Sequence, residues 1–208
     1  VDRRLLILGA GGHARAVADL AAECGFTVVG FTERATRTAP GVVATDADVA
    51  ELHRMGRIDA GIVGVGTAAL ARRAELHALL RSLGIPVPVL VHPRAAVSRS
   101  CAIGEGSVVF AGAVLGTDVE VGENAVLYSA VVVEHGSRIG AHAYLSPGVI
   151  LAGAVTVEPG AFLGAGAVVV PGVTVGKDAV VGAGAVVLAD VSAASTVVGL
   201  PARPTGPR

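Results

Sequence analysis

The chain has 208 residues, a formal net charge of −1 and 52% hydrophobic residues, yet only 3% are aromatic and tryptophan is absent. With no basic patch and no interleaved aromatics, this balance argues against a nucleic-acid binder. Two lone cysteines, Cys24 and Cys101, argue against a disulfide framework or a thiolate zinc site, and the scattered histidines lack the ordered carboxylates of a metal centre, so no metal is expected.

Asp2, Arg3 and Arg4 precede an apolar stretch that glycines and His13 interrupt, which makes a poor signal peptide. The apolar run from Ala161 to Val175 is punctuated by glycine, so no membrane span is expected. A cytoplasmic enzyme is the expectation. The pattern divides the length into residues 1–90, 91–190 and a tail, 191–208.

Leu5–Leu8 reads as a short strand, Gly9-Ala10-Gly11-Gly12-His13 as a turn, and Ala14–Cys24 as a helix with Ala14, Val17, Ala18 and Ala21 on one face. Gly25 stops it, and Thr27–Phe31 is a second strand ending near Glu33. This strand–turn–helix–strand unit is Rossmann-like, and its turn suits a phosphate at the helix N-terminus. The dinucleotide fingerprint is incomplete, because Ala14 stands at its last glycine. A helix over Thr45–Arg57, a strand over Ala60–Val65 followed by Gly66, a helix over Ala68–Leu83 and a strand over Val87–Val91 complete a small α/β domain with a mostly parallel sheet. His53 and His77 read as helix-surface residues, and His92 as structural.

From Val91 to Val187, seventeen branched aliphatics recur every six residues without a break. Two residues before each stands a small or β-branched side chain, as at Ala113, Val119, Ala125 and Ala143, and glycine often follows, as at Gly104, Gly122 and Gly140. This is neither a helical nor a simple strand period. It is the hexapeptide signature of a parallel β-helix: three hexads close a triangular coil, and each ladder residue stacks on the one eighteen places later. Sixteen steps make about five coils, with no loop extruded. Beyond Val187 the ladder decays into an extended tail that folds back, with frayed residues from Thr205.

Few ionisable groups decorate the coils. His135 lies two residues past an inward valine, at a corner, where it gains nothing for the core. Imidazole titrates near neutrality, so this position suits a general base. Gly153 follows by eighteen residues, one coil along the same edge, where its N–H suits a thioester oxyanion. Lys177 and Arg203 are candidates for phosphates near the C-terminal coils, and neither cysteine is placed for an acyl-enzyme.

Several motifs then fall in one order: Gly9-Ala10-Gly11-Gly12-His13-Ala14-Arg15, His92-Pro93, Val132-Val133-Glu134-His135, Ile139-Gly140, Ser146-Pro147-Gly148 and Val198 to Arg203. In this the chain resembles the hexapeptide-repeat acyltransferases of the sialic acid O-acetyltransferase and bacterial amino-sugar N-acetyltransferase group, over nearly its whole length. The resemblance implies a left-handed parallel β-helix, an exception to the right-handed rule, and a homotrimer with active sites between subunits. It implies acetyl-CoA as co-substrate, with Ser146, Gly153, Ala165, Lys177 and Arg203 on its path. It implies His135 as general base, Gly153 as oxyanion donor, and Gly9, Gly11, Gly12, His13, Glu33 and Gly66 as the part that receives a nucleotide-sugar acceptor.

Two positions depart from the family pattern. Gly136 stands where an orienting carboxylate commonly follows the histidine, and Glu134 is expected to alternate away from the ring. Tyr144 stands where a second histidine is frequent, a position for a hydrogen bond near the thioester. The rival expectations are an acyltransferase for a non-sugar alcohol or amine, and a trimeric scaffold that has lost catalysis.

Overall fold

The computed structural model describes residues 3–35, 39–67 and 70–205. It divides into two compact units, Val1–Val91 and His92–Arg208.

In the first unit, β1 (Arg4–Leu8), α1 (Gly12–Glu23), β2 (Thr27–Glu33), β3 (Val42–Thr45), α2 (Val49–Arg54), β4 (Ala60–Val63) and α3 (Leu70–Ser82) follow in order. All four strands are parallel, in the order β3-β2-β1-β4. Leu5 to Leu8 are fully buried, as a central parallel strand covered on both faces requires. Val17 and Leu20 of α1, and Leu76 and Leu80 of α3, are buried as well. β3 was not foreseen: four residues after Pro40-Gly41 are too short to show a period. The helix expected from Thr45 begins as a 3-10 turn, Asp46–Asp48, and continues as the short α2. Ala68, the first residue expected for α3, lies outside the described residues. The strand expected over 87–91 shrinks to Leu90–Val91, because Pro86 and Pro88 deny it backbone donors. His77 is 2% exposed, against the expected helix-surface position.

The second unit is a β-solenoid of two-residue strands. Its first face carries Ala96–Val97, Val114–Leu115, Val132–Val133, Ile150–Leu151, Val168–Val169 and Val186–Val187. The second face carries Ala102–Ile103, Glu120–Val121, Arg138–Ile139, Thr156–Val157 and Thr174–Val175. The third includes Val108–Val109, Val126–Leu127, Tyr144–Leu145, Phe162–Leu163, Val180–Val181 and Thr196–Val198. Up to Val187 each strand pairs in parallel with the one eighteen residues away, so Val133 lies beside Leu115 and Leu151, while Thr196–Val198 pairs with Val180–Val181 at an offset of sixteen.

The interior follows from the six-residue period. From Val109 to Val187 no ladder residue is more than 5% exposed, and each buried aliphatic side chain contributes roughly 1.5–3 kcal/mol. Two polar residues take the place of a small inward side chain, and both are satisfied within the coil. Ser107 Oγ donates to the Gly122 carbonyl at 2.7 Å and accepts from the Ala125 N–H at 2.9 Å; Ser137 does the same with Ala152 and Val155. The corners have two separate needs. The residue three past the ladder adopts positive φ, at Gly136 (65°) but also at Ala130, Ala154 and Asp178. Where glycine stands one past it, as at Gly122, the next coil approaches closely: a Cβ there would stand 2.6 Å from the Ala141 nitrogen. The tail ends the prism with Arg203–Pro204 pairing antiparallel to Val197–Val198. Among the described residues no helix is long and apolar enough to cross a membrane.

Candidate active site

His135 projects from the corner between the first and second faces, two residues past the buried Val133. Its main chain is held by the next coil, with the Ala154 N–H donating to the His135 carbonyl at 2.8 Å. Its side chain is 75% exposed and lies directly over Gly153. A Cβ built there would meet His135 Cε1 and Nε2 at 2.7 Å. Glycine at 153 is therefore what lets the imidazole rest against the neighbouring coil.

The Gly153 N–H has no backbone acceptor among the described residues, and the reason is general to the coil. The N–H one past a ladder residue and the N–H three past it both bond to adjacent coils, as at Glu134 and Gly136. The one two past it points outward. At Lys177, in the same register, that N–H donates to the Glu158 carboxylate at 2.7 Å. The register thus presents an N–H able to take an anionic oxygen, and at Gly153 it does so beside an imidazole.

Glu134 comes nearer than alternation suggested: its Oε2 is 3.8 Å from His135 Nδ1, because strand alternation ends where the chain turns the corner. That separation is too long for a hydrogen bond. Tyr144 is not brought to this corner within one chain. It lies on the third face, opposite, 4% exposed, with ring centroids 5.8 Å from both Tyr128 and Phe162. Phe110 extends the row by stacking on Tyr128 at 4.5 Å. The residues expected along CoA are dispersed too. Gly153 and the pair Ser146 and Ala165 stand at the two corners flanking the first face, Lys177 at the third corner, and Arg203 on the tail. Both cysteine thiols are pushed up in pKa, chiefly by burial, which disfavours a thiolate nucleophile.

The first unit holds a cavity of about 650 Å³ at the C-terminal ends of its strands, lined in part by Gly9, Ala10, Gly11, Glu33, Asp46 and Arg72. This is where open parallel sheets receive ligands. Gly9 is glycine because its φ is +117° and a Cβ would press on Gly64 and Val65. Gly11 and Gly12 are different: neither has a positive φ and a Cβ on either would meet nothing within 4 Å. No side chain caps α1 at Gly11, and no acidic residue occupies its first turn. An uncapped helix start, stripped of side chains that neither packing nor φ forbids, suits an anion approaching the backbone.

His13 and Gly66 do not line the cavity; they pack on each other, with a Gly66 Cβ placed 3.1 Å from His13 Cβ. The sequence reading missed the rest of this site. Asp46 accepts from Thr32 Oγ1 at 2.5 Å and from Arg72 Nη2 at 2.6 Å, and Arg72 also reaches Glu75 at 2.7 Å. Arg73, fully buried, donates from Nη1 to the Val65 carbonyl at 2.6 Å and to His13 Nε2 at 3.3 Å. The signal for Arg73 was its place, three and seven residues before Leu76 and Leu80, on the buried stripe of α3.

Burial, and then the Arg73 charge, lower the His13 pKa to about 3. The unfolded chain takes up this proton near pH 6.5 and the folded chain does not. Stability is therefore unaffected by His13 above about pH 6.5 and falls as pH drops from there toward 3. Urea midpoints of the first unit should fall between pH 7.5 and 5, and His13→Gln, which keeps an acceptor for Arg73, should flatten that slope.

A solenoid with a histidine set over a glycine on the next coil defines a class, the hexapeptide-repeat transferases. A family model for the PglD N-terminal domain matches residues 4–75, and one for six bacterial transferase hexapeptide repeats matches residues 154–189. Among solved structures, PerB from Caulobacter crescentus, in complex with CoA and GDP-perosamine, is 37% identical, with a TM-score of 0.92 over 97% of both chains. The acetyltransferase domain of PglB from Neisseria gonorrhoeae, in complex with acetyl coenzyme A, is 33% identical, with a TM-score of 0.89 over 99% of this chain and 100% of that one. WeeI from Acinetobacter baumannii is 27% identical, with a TM-score of 0.83 over 97% and 99%. No curated protein sequence matches the chain. The chain belongs to the hexapeptide-repeat nucleotide-sugar N-acetyltransferase family.

Proposed function

We propose that this acetyl-CoA-dependent acetyltransferase acetylates the amino group of a nucleotide-linked amino sugar by direct transfer, with His135 as general base. The observation that carries this reading is the imidazole resting on Gly153, whose N–H is left unused by the coil. The acceptor amine, in its neutral form, attacks the thioester carbon. The N–C bond forms, His135 takes the proton from nitrogen, and the oxyanion rests on the Gly153 N–H. The C–S bond then breaks and CoA leaves as thiolate, which is protonated on release. The first unit holds the nucleotide end of the acceptor, its phosphates at the Gly9–Gly12 turn. GDP-perosamine and CoA bound to PerB, and acetyl coenzyme A bound to the PglB domain, support this choice of substrates. The test is CoA release from acetyl-CoA against nucleotide-linked amino sugars, free sugars and simple amines. Turnover only with a non-sugar acceptor overturns the acceptor; neither turnover nor CoA binding favours a scaffold.

A homotrimer is part of the same reading. The outward residues of the first face are Ala96, Val114, Val132, Ile150, Val168 and Val186, all aliphatic, with Val114 39% and Ile150 42% exposed. The second face instead presents Glu120, Arg138 and threonines, while on the third Val108, Val126 and Tyr144 are already buried within the chain. An exposed aliphatic face on one side of the prism is what packing against further copies of the chain would cover. A trimer also accounts for the spread of Tyr144, Ser146 and Lys177, which a groove between chains can gather where one chain cannot. Ile150→Glu should convert the trimer to monomers in sedimentation analysis and lower turnover with it; an unchanged trimer would place the interface elsewhere.

A further inference from the structure

We propose that Arg73 is a positioning residue for the acceptor's diphosphate, holding His13 as an Nδ1–H donor beside the Gly9–Gly12 turn and clamping the loop after β4 to that turn. This rests on the reading of the turn as the acceptor's phosphate site. A guanidinium has only donors, so the contact between Arg73 Nη1 and His13 Nε2 leaves Nε2 as the acceptor and puts the ring proton on Nδ1. The lowered pKa of His13 agrees, since a charged ring would have no lone pair for Arg73. The same Nη1 holds the Val65 carbonyl, and Val65 lines the cavity with Gly9 and Gly11. Gly64 and Gly66 bring this loop against α1: a Cβ on Gly64 would be 3.0 Å from Ala14 Cα, and one on Gly66 would meet His13.

One buried guanidinium thus joins the loop after β4 to the helix start and sets the tautomer of the histidine there. Its positive charge stands against His13, the second residue of the helix whose start favours an anion, and burial protects that charge from screening. The chemistry this serves is a diphosphate diester carrying two negative charges. A free sugar gains little from it.

The test uses the full chain, labelled with nitrogen-15. Long-range spectra of His13 are expected to show the Nδ1–H tautomer from pH 8 to 5.5, and saturating UDP or GDP is expected to shift its Nδ1 resonance. Arg73→Gln should raise the Kd of the bound nucleoside diphosphate at least tenfold, with Arg73→Lys recovering part of the loss and the KM for acetyl-CoA unchanged in both. A charged or Nε2–H ring in the native protein overturns the proposal. So does a folded Arg73→Gln that binds the diphosphate normally. Should neither variant fold, the native titration decides: binding without a His13 shift overturns it. If the native protein binds neither UDP nor GDP, the acceptor reading falls and takes this role with it, an outcome distinct from binding that is indifferent to Arg73.

Discussion

His135→Ala lowers kcat by about 10²–10⁴-fold, the range for loss of a positioned general base, while the KM for acetyl-CoA stays within about twofold. Stability should hardly move. The ring is largely exposed and fills no core space, so its removal leaves no cavity. The bond from the Ala154 N–H to the residue-135 carbonyl belongs to the backbone and survives. Loss of turnover without loss of folding or CoA binding therefore isolates a chemical role. Residual turnover above that of water is expected, since the Gly153 N–H and the proximity of the substrates remain. Turnover within about tenfold of the native protein would remove His135 from the mechanism. Neither cysteine is a ready substitute nucleophile, because burial raises both thiols.

The prism and the pair His135 and Gly153 were legible in the sequence for one reason. Only an aliphatic side chain fits the inward position, so the six-residue period survives every coil, and eighteen residues return the chain to the same corner. The positive-φ position was less legible, because this coil accepts Ala130, Ala154, Asp118 and His142 there as well as glycine. Glu134 stands nearer the ring than alternation predicts, because alternation holds along a strand and fails at a corner, yet it makes no hydrogen bond to the ring. His77 departs from its expected surface position because a polar side chain on a helix can also face the core, and Arg73 shares that buried stripe with Leu76 and Leu80. The Asp46, Arg72 and Glu75 cluster is assembled from a turn and a distant helix, and no local pattern joins residues 26 apart. Tyr144 shows another limit: its register puts it on the third face, away from the His135 corner, so nearness in sequence does not bring it to that histidine.

Gly153→Ala is expected to lower kcat at least about 10²-fold with folding intact. The added methyl would stand 2.7 Å from His135 Cε1 and Nε2 and 3.4 Å from Nδ1. Something must give, and the exposed ring is softer than the coil's backbone. Position 153 has no positive φ, so alanine fits its conformation, and the loss of glycine's freedom in the unfolded chain offsets any small cost. Relief of that contact moves the imidazole by roughly an ångström, a misplacement that costs about 10²-fold in a reaction that depends on alignment, and the methyl also crowds the approach to the N–H. Gly136→Ala makes the opposite expectation one residue from the same histidine. Its φ is 65° and a Cβ there meets nothing within 4 Å. Ala130 and Ala154 already sit at that register, so the coil tolerates alanine at about 1 kcal/mol of backbone strain while the ring stays in place. Denaturation midpoints and kcat measured together should move in separate variants: rate alone for Gly153→Ala, stability alone for Gly136→Ala. If Gly153→Ala keeps its rate, the ring does not work from its position over Gly153.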